Sequence, residues 1–276
     1  MDYRVVWVHG IGHQPAGYSK AWENAFNTYL QFPQDDYIEV LWSVVFDSFI
    51  GNSSLGMNEI TIPLTPQEQL AEAEVRKALT TQLLARAVPM QTSGLVGEWS
   101  ELINEAAANE ALLPNWVLHP DQYLGEFVKY LVSRPIRNAV KERAKQQLRT
   151  LANSAYDCSI IAHSWGSVVA YESLIDLEME LPTFRLANLF TLGSPLWLVQ
   201  PLLDDRSGRK PRNVGRWVNV HAQGDLIGSW LKPGFQVDQD YAVPNFGGGD
   251  AHESYFVVGN MQVQHDIVAA DVLSAA

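Results

Sequence analysis

Short runs of almost continuously apolar residues, separated by helical patterns, most strongly limit the folds open to this chain. A strand with one face in solvent alternates polar and apolar residues, whereas a strand covered on both faces is apolar throughout. Continuous runs alternating with helices therefore predict a doubly wound α/β fold with a mostly parallel sheet. The sequence predicts about six strands, at 3–8, 37–45, 158–162, 188–192, 217–221 and 237–243.

One connection is too long for simple strand–helix alternation. Helices are predicted at 16–30, 135–153 and 167–180, but residues 47–133 lie between a strand and the next helix of the α/β pattern. This block is itself mostly helical, with helices expected from Pro66 to about 88, over 97–112 and from Asp121. Thr65, Pro66 and Glu68 form a typical helix start, with a capping hydroxyl and a carboxylate that reaches back. We expect one α/β domain over 1–276 with a helical insertion at 47–133, a candidate lid or cap.

The role of the insertion stays open at this stage. Its aromatic and leucine side chains could line a binding pocket, but they are expected to form the insertion's own core. These side chains are Trp99, Leu112, Leu113 and Trp116.

Composition excludes several classes of protein. The chain has 276 residues, 47% of them hydrophobic, and a formal charge of −12, which argues against a nucleic-acid partner. Cys158 is the sole cysteine, so the chain has no internal disulfide, and it is expected to be a core residue. No apolar stretch reaches the ~18 residues of a membrane span, and the start of the chain does not resemble a signal peptide. We expect a soluble, cytoplasmic protein without a transmembrane segment.

A serine stands at the abrupt end of the third predicted strand. The sequence Ala162-His163-Ser164-Trp165-Gly166 follows an apolar run and opens a helical pattern, which is the context of a nucleophile elbow. Gly166 satisfies the need for a small residue two places after the serine, while Ala162 replaces the usual glycine two places before. The alternative is an ordinary helix-capping serine, a role open to Ser164 or Ser167.

A glycine loop after the first strand supplies a second part of the same chemistry. A nucleophilic serine needs backbone N–H groups directed at the oxyanion of its tetrahedral intermediate. Loops of the His-Gly type and the residue after the nucleophile provide such groups, which here are Ile11 and Trp165. His9 and His13 could suggest a metal pair, but a glycine loop lacks the helix that would align them. No metal site is therefore predicted.

The serine needs an acid further along the chain. Asp225 follows a predicted strand two strands beyond Ser164, and in folds with a nucleophile elbow the acid follows a strand beyond the nucleophile. Asp204 and Asp205 are the alternative, although their neighbours indicate a solvated polar turn. These neighbours are Arg206, Arg209, Lys210 and Arg212.

The base is expected in the loop after the last strand. His252 lies there, behind a glycine run that would give the loop its reach. His221 is interpreted as structural, and His265 as the start of the terminal helix. His163, beside the serine, is expected to pack rather than to react.

One helix stands out by its charge. Residues 134–149 carry six basic side chains and a single acid, Glu142, in an otherwise acidic chain. Such a run usually forms a solvated helix face. The alternative is a docking face for an anionic partner.

Taken together, these motifs resemble the α/β-hydrolase superfamily, and in particular its lipase- and esterase-like members. The motifs are HGIG at 9–12, AHSWG at 162–166, TLGSP at 191–195, GD at 224–225 and HESY at 252–255. The resemblance covers about 1–50 and 134–276, and it implies a version of the fold trimmed at its N-terminus, with about six strands.

The resemblance implies a serine hydrolase that cleaves carboxylic esters through an acyl-enzyme. Ser164 would be the nucleophile, His252 the base and Asp225 the acid, with no cofactor. The expected partner is a small-molecule acyl ester, with lipid-like esters among the candidates. Acyl transfer, or thioester or amide hydrolysis, would use the same triad, and an inactive binding module is the remaining alternative.

Overall fold

A computed structural model of the protein describes residues 3–10, 14–48, 63–91, 120–152 and 157–276. Within these ranges, six strands form one sheet in the order β2-β1-β3-β4-β5-β6, and every neighbouring pair is parallel. The strands are β1 (Tyr3–Val8), β2 (Tyr37–Val40), β3 (Asp157–His163), β4 (Leu186–Leu192), β5 (Val214–Ala222) and β6 (Gln239–Val243). The predicted α/β class and the number of strands are thereby confirmed.

Helices connect these strands. They are α1 (Lys20–Leu30), α2 (Val44–Ser48), α3 (Pro66–Gln91), α4 (Pro120–Val132), α5 (Arg134–Ala152), α6 (Gly166–Glu180) and α7 (Leu196–Val199). The chain ends in a π-helical segment, Gln262–Ala269, followed by α8 (Ala270–Ala275). The helix predicted over 97–112 lies outside the described residues, as do Trp99, Leu112, Leu113 and Trp116.

The sheet is covered by helices on both faces. On one face, Phe26 of α1 packs edge-on against Trp7 at 5.3 Å between ring centroids, and Val268 belongs to the same buried core. On the other face, Tyr171 of α6 stacks on Trp217 of β5 at 5.4 Å. Burial on both sides accounts for the continuously apolar strands of the sequence.

The order of the strands creates a crevice at one place. From β1 the chain moves outward to β2, and it then returns to the other side of β1 to build β3, β4, β5 and β6 in succession. The winding therefore reverses between β1 and β3. In open α/β sheets, ligands bind beyond the carboxyl ends of the strands at such a switch point.

The strand predicted over 37–45 is shorter than expected. It ends at Val40, and the chain turns into α2 at Val44. The reason is a long-range contact, because Trp42 is buried with its ring stacked on His9 at 4.7 Å and its Nε1–H donated to the His9 carbonyl at 2.9 Å.

The chain divides into two compact units. The first combines Met1–Ile60 with Asn138–Ala276 and contains the sheet, and the second is Thr61–Arg137. Within the second unit, the predicted capping box at the start of α3 is confirmed. The Thr65 N–H donates to the Glu68 carboxylate at 2.8 Å, and the Glu68 N–H donates to the Thr65 hydroxyl at 3.2 Å.

Candidate active site

Ser164 lies at the turn between β3 and α6, at the switch point of the sheet. Its φ of 52° is in the left-handed region, and in the described part of the chain Gln31 is the other non-glycine residue with a positive φ. Such a conformation is strained for a side chain with a Cβ, and strain of this kind concentrates at functional sites. The Ser164 N–H donates to the Leu192 carbonyl of β4 at 2.9 Å, which helps the sheet to hold the turn.

The turn is possible because the backbone of α6 passes very close to the end of β1. A Cβ added to Gly166 would lie 2.1 Å from the His9 carbonyl oxygen and 2.7 Å from that of Val8. Both are main-chain atoms, so no side-chain rotation could relieve the clash. Ala162, which replaces the expected glycine on the strand side, is fully buried and is accommodated in register with Val8 and Thr191.

His252 brings an imidazole to the serine from the loop after β6. The Ser164 hydroxyl lies 2.8 Å from His252 Nε2, a distance suited to donation from Oγ to the ring nitrogen. The other ring nitrogen, Nδ1, lies 3.0 Å from Asp225 Oδ1 and 3.1 Å from Oδ2. With the proton on Nδ1, His252 donates to the carboxylate and accepts from the serine.

Asp225, just after β5, is fully buried and well supplied with donors. Its Oδ1 accepts the Ile227 and Gly228 N–H groups at 2.8 and 2.9 Å, and its Oδ2 accepts the Tyr255 hydroxyl at 2.6 Å. Burial opposes ionisation, but the charge of His252 and these hydrogen bonds outweigh it and hold the pKa of Asp225 below its ordinary value. Asp225 is therefore a carboxylate at neutral pH.

The same pairing acts in the opposite direction on His252. Burial would lower the pKa of the imidazole, but the Asp225 charge and the hydrogen bond to it raise this pKa above its ordinary value. The imidazole is thus a stronger base than a free histidine. It can take a proton from Ser164 because the carboxylate stabilises the resulting cation.

His163, directly before the serine, packs behind the base. Its ring lies 4.6 Å from the His252 ring, and its Nε2–H donates to the His252 carbonyl at 2.9 Å. Burial, and then repulsion by His252, lower the pKa of His163 to about 3. His163 is therefore neutral at the pH of most enzymes, and it fixes the backbone that carries His252.

Of the two residues expected to form an oxyanion hole, the structure describes Trp165. Ile11 lies outside the described residues. Trp165 is buried at the N-terminus of α6, where the helix dipole places partial positive charge. Gly10, which precedes Ile11, lies close to the nucleophile, since a Cβ on it would be 2.8 Å from Ser164 Cβ.

The alternative acids lie in ion pairs. Asp204 accepts a hydrogen bond from Lys141 at 2.9 Å, and Asp205 pairs with Arg209 at 2.9 Å. The structure does not bring either of them to His252, whose carboxylate partner is Asp225.

The alternative histidines have other contacts. His221 belongs to β5 and packs edge-on against Trp230 at 4.6 Å. His265 lies in the exposed part of the terminal π-helical segment and contacts Asp266 at 2.7 Å. The histidine hydrogen-bonded to Ser164 is instead His252.

Three of the six basic side chains of α5 form ion pairs within the protein. Lys141 pairs with Asp176 of α6 at 3.0 Å, Lys145 pairs with Glu180 of α6 at 2.6 Å, and Arg149 also pairs with Glu180. These pairs join two helices of the first unit. The contacts of these three side chains are thus internal ion pairs, as expected of a structural helix face.

Sequence reasoning missed one side chain and two backbone groups of the site. Tyr255 and the N–H groups of Ile227 and Gly228 surround the Asp225 carboxylate. The motif HESY includes Tyr255, but its partner lies 30 residues away along the chain. No local pattern in the sequence indicates that contact.

Comparisons with known proteins add little to this description. No protein-family profile matches the chain, and no curated protein matches it either. Among solved structures, the chain is similar to an uncharacterized protein from Pseudomonas aeruginosa, with 11% sequence identity and a TM-score of 0.35. The match covers 99% of this chain and 46% of that one, so the chain spans less than half of that protein's length. The α/β class therefore rests on the strands and helices of the chain itself.

Two features are absent from the described residues. In those ranges, no helix combines the length and apolar character that crossing a membrane requires. The same ranges contain no group of three or more His, Cys, Asp or Glu side chains arranged to hold a metal ion.

Proposed function

We propose that the protein is a serine hydrolase that cleaves carboxylic esters through an acyl-enzyme, with Ser164, His252 and Asp225 as its triad. The observation that carries the proposal is the continuous hydrogen-bonded line from the Ser164 hydroxyl through both ring nitrogens of His252 to Asp225. Its distances are 2.8 and 3.0 Å. A hydroxyl, an imidazole and a buried carboxylate in this order form the arrangement that activates a serine nucleophile.

The order of elements supports an α/β-hydrolase fold of the lipase- and esterase-like kind. The glycine loop follows β1, the serine follows the adjacent β3, the acid follows β5 and the histidine follows β6. That order along the chain, with serine before aspartate before histidine, is the order found in this fold. The left-handed φ of Ser164 and the close approach at Gly166 are the features of a nucleophile elbow.

The reaction follows from the positions of these atoms. Ser164 Oγ attacks the ester carbonyl carbon while its proton passes to His252 Nε2. The tetrahedral intermediate then collapses, the C–O bond to the alcohol breaks, and His252 returns the proton to the departing oxygen. In the second half of the reaction, water loses a proton to His252 and attacks the acyl carbon. The bond from that carbon to Ser164 Oγ then breaks, His252 returns the proton to Oγ, and the acid is released.

Electrostatics favour transfer of the Ser164 proton to His252. Asp225 keeps the Nδ1 proton in place and stabilises the imidazolium, because its own pKa stays below the ordinary value. Neutral His163 adds no second cation beside the base. The N–H groups of Ile11 and Trp165 are proposed to stabilise the oxyanion, in line with their places after β1 and after the nucleophile.

The alternatives to ester hydrolysis fall into two groups. Acyl transfer, and hydrolysis of a thioester or an amide, would use the same three side chains with a different acceptor or leaving group. An inactive binding module is disfavoured, because a fold without catalysis has no need for a strained serine hydrogen-bonded to a histidine. The helical insertion stays a candidate lid.

The experiment is a panel of p-nitrophenyl esters of increasing acyl length, assayed with the wild type and Ser164→Ala. We expect the wild type to hydrolyse at least the short esters, and kcat/KM to fall by several orders of magnitude in the variant. Ser173→Ala is the matched control, because Ser173 is a fully buried serine further along the same helix. A Ser164→Ala variant as active as this control would refute the proposal.

A further inference from the structure

Tyr255 occupies a special position between the acid and the backbone of β5. It lies on a short 3₁₀ turn, Ser254–Phe256, and its side chain is completely buried. Its hydroxyl donates to Asp225 Oδ2 at 2.6 Å and accepts the Ala222 N–H, at the end of β5, at 2.8 Å. One phenol therefore contacts the carboxylate and the strand that leads to it.

These contacts join two short segments at both ends. The segment 222–225 carries Asp225 at its end, and the segment 252–255 carries His252 at its start. At one end, the Asp225 carboxylate is hydrogen-bonded to the His252 ring. At the other end, the N–H of Ala222, three residues before Asp225, donates to the hydroxyl of Tyr255, three residues after His252. The base and the acid are thereby held in one hydrogen-bonded ring.

We propose that Tyr255 is a positioning residue. It holds the Asp225 carboxylate and the His252 segment together, and its hydrogen bond weakens the effect of the Asp225 charge on His252. The expected effect of Tyr255 on the reaction rate rests on the proposed function. Its expected effect on the pKa of His252 does not. The hydroxyl of the tyrosine contacts Asp225 and the Ala222 N–H, so it acts on the base through Asp225.

The structure shows why a phenol is needed there. Without its hydroxyl, Asp225 Oδ2 would lose a donor and the buried Ala222 N–H would lose its acceptor. Hydrogen-bond donors partly neutralise the charge of a carboxylate. With one donor fewer, the Asp225 carboxylate would therefore stabilise the protonated imidazole more strongly. Removal of the hydroxyl should therefore raise the pKa of His252 and loosen the segment that carries it.

Other titratable groups near His252 must be kept constant in any test. They are Asp225, Asp250 and Glu253, whose charges act on it, and His163 behind its ring. Tyr255→Phe leaves all four in place.

The test is Tyr255→Phe, with Tyr171→Phe as matched control. Tyr171 is also fully buried, and its hydroxyl donates to the Arg209 carbonyl at 3.2 Å, away from the triad. We expect Tyr255→Phe to lower kcat for a p-nitrophenyl ester by about 10- to 100-fold with little change in KM. The control variant should behave as the wild type.

A second readout does not depend on activity. Nuclear magnetic resonance of ¹⁵N-labelled histidine gives the pKa of His252 directly, and we expect it to rise in Tyr255→Phe and to stay unchanged in Tyr171→Phe. An unchanged pKa and kcat in a folded Tyr255→Phe protein would overturn the inference. If the wild type hydrolyses no ester, the proposed function fails, but the titration still decides the role of Tyr255.

Folding of the variant is the remaining requirement. Should Tyr255→Phe fail to fold, the low-field hydroxyl proton of Tyr255 can be observed in the wild type and in Asp225→Asn. Loss of the carboxylate should move that resonance upfield, because a charge-assisted hydrogen bond becomes a neutral one. A resonance at the same position in both proteins would contradict the inference.

Discussion

Gly166→Ala tests how tightly the nucleophile turn is built. The added methyl group would lie 2.1 Å from the His9 carbonyl oxygen, whereas ordinary van der Waals contact begins at 3.4 Å. The two backbones must therefore separate by about 1.3 Å along this line. Such a shift would strain the Trp42 Nε1–H bond to the same carbonyl.

The size of the effect follows from that displacement. Overpacking of this kind destabilises a protein by about 1–3 kcal/mol. A misplacement near 1 Å reduces an enzymatic rate by about 100-fold. We expect a lower free energy of unfolding in a urea titration and a kcat/KM for a p-nitrophenyl ester reduced about 100-fold.

Gly125→Ala is the matched control for Gly166→Ala. Gly125 lies inside α4, and a Cβ built on it meets no atom within 4 Å. Alanine there should stabilise the protein by about 0.5–1 kcal/mol and leave the activity unchanged. The reasoning about the turn would be refuted by a Gly166→Ala protein with the stability and activity of the wild type.

Two other predictions concern the base. Catalysis needs neutral His252, whose pKa Asp225 raises, so kcat/KM should fall as the pH drops through a value above that of a free histidine. Asp225→Asn should move this acid limb to lower pH and reduce kcat by about 10⁴-fold, and an unmoved limb in a pH–rate profile would contradict the pairing. His163→Leu removes the donor to the His252 carbonyl and should lower kcat about 10-fold. His163→Gln keeps a donor and should lie nearer the wild type in the same assay, and equal rates for the two variants would show that this bond does not position the base.

Most of the sheet could be predicted from the sequence, because strands buried on both faces leave continuous apolar runs. The helix expected at 16–30 begins only at Lys20. The reason is that Glu39 of β2 accepts the N–H groups of Gly17 and Ser19, which holds the preceding residues in a turn. Such a contact, 20 or more residues away, leaves no mark on the local pattern.

Part of the candidate site could likewise be predicted from the sequence, and part could not. Ser164, His252 and Asp225 could be selected because each follows a strand in a known order. Tyr255 could not, because its role depends on the closeness of Asp225 and Ala222, which only the folded chain creates. The ion pairs of α5 also needed the structure, since Asp176 and Glu180, which pair with Lys141 and Lys145, lie on α6.

The most direct measurement is covalent labelling with a fluorophosphonate, which reacts with an activated serine, followed by mass spectrometry of the peptides. We predict stoichiometric modification of Ser164, loss of labelling in Ser164→Ala and strongly slowed labelling in Asp225→Asn. A folded wild-type protein that stays unlabelled, or that is labelled at a different serine, would contradict the assignment of Ser164 as the nucleophile.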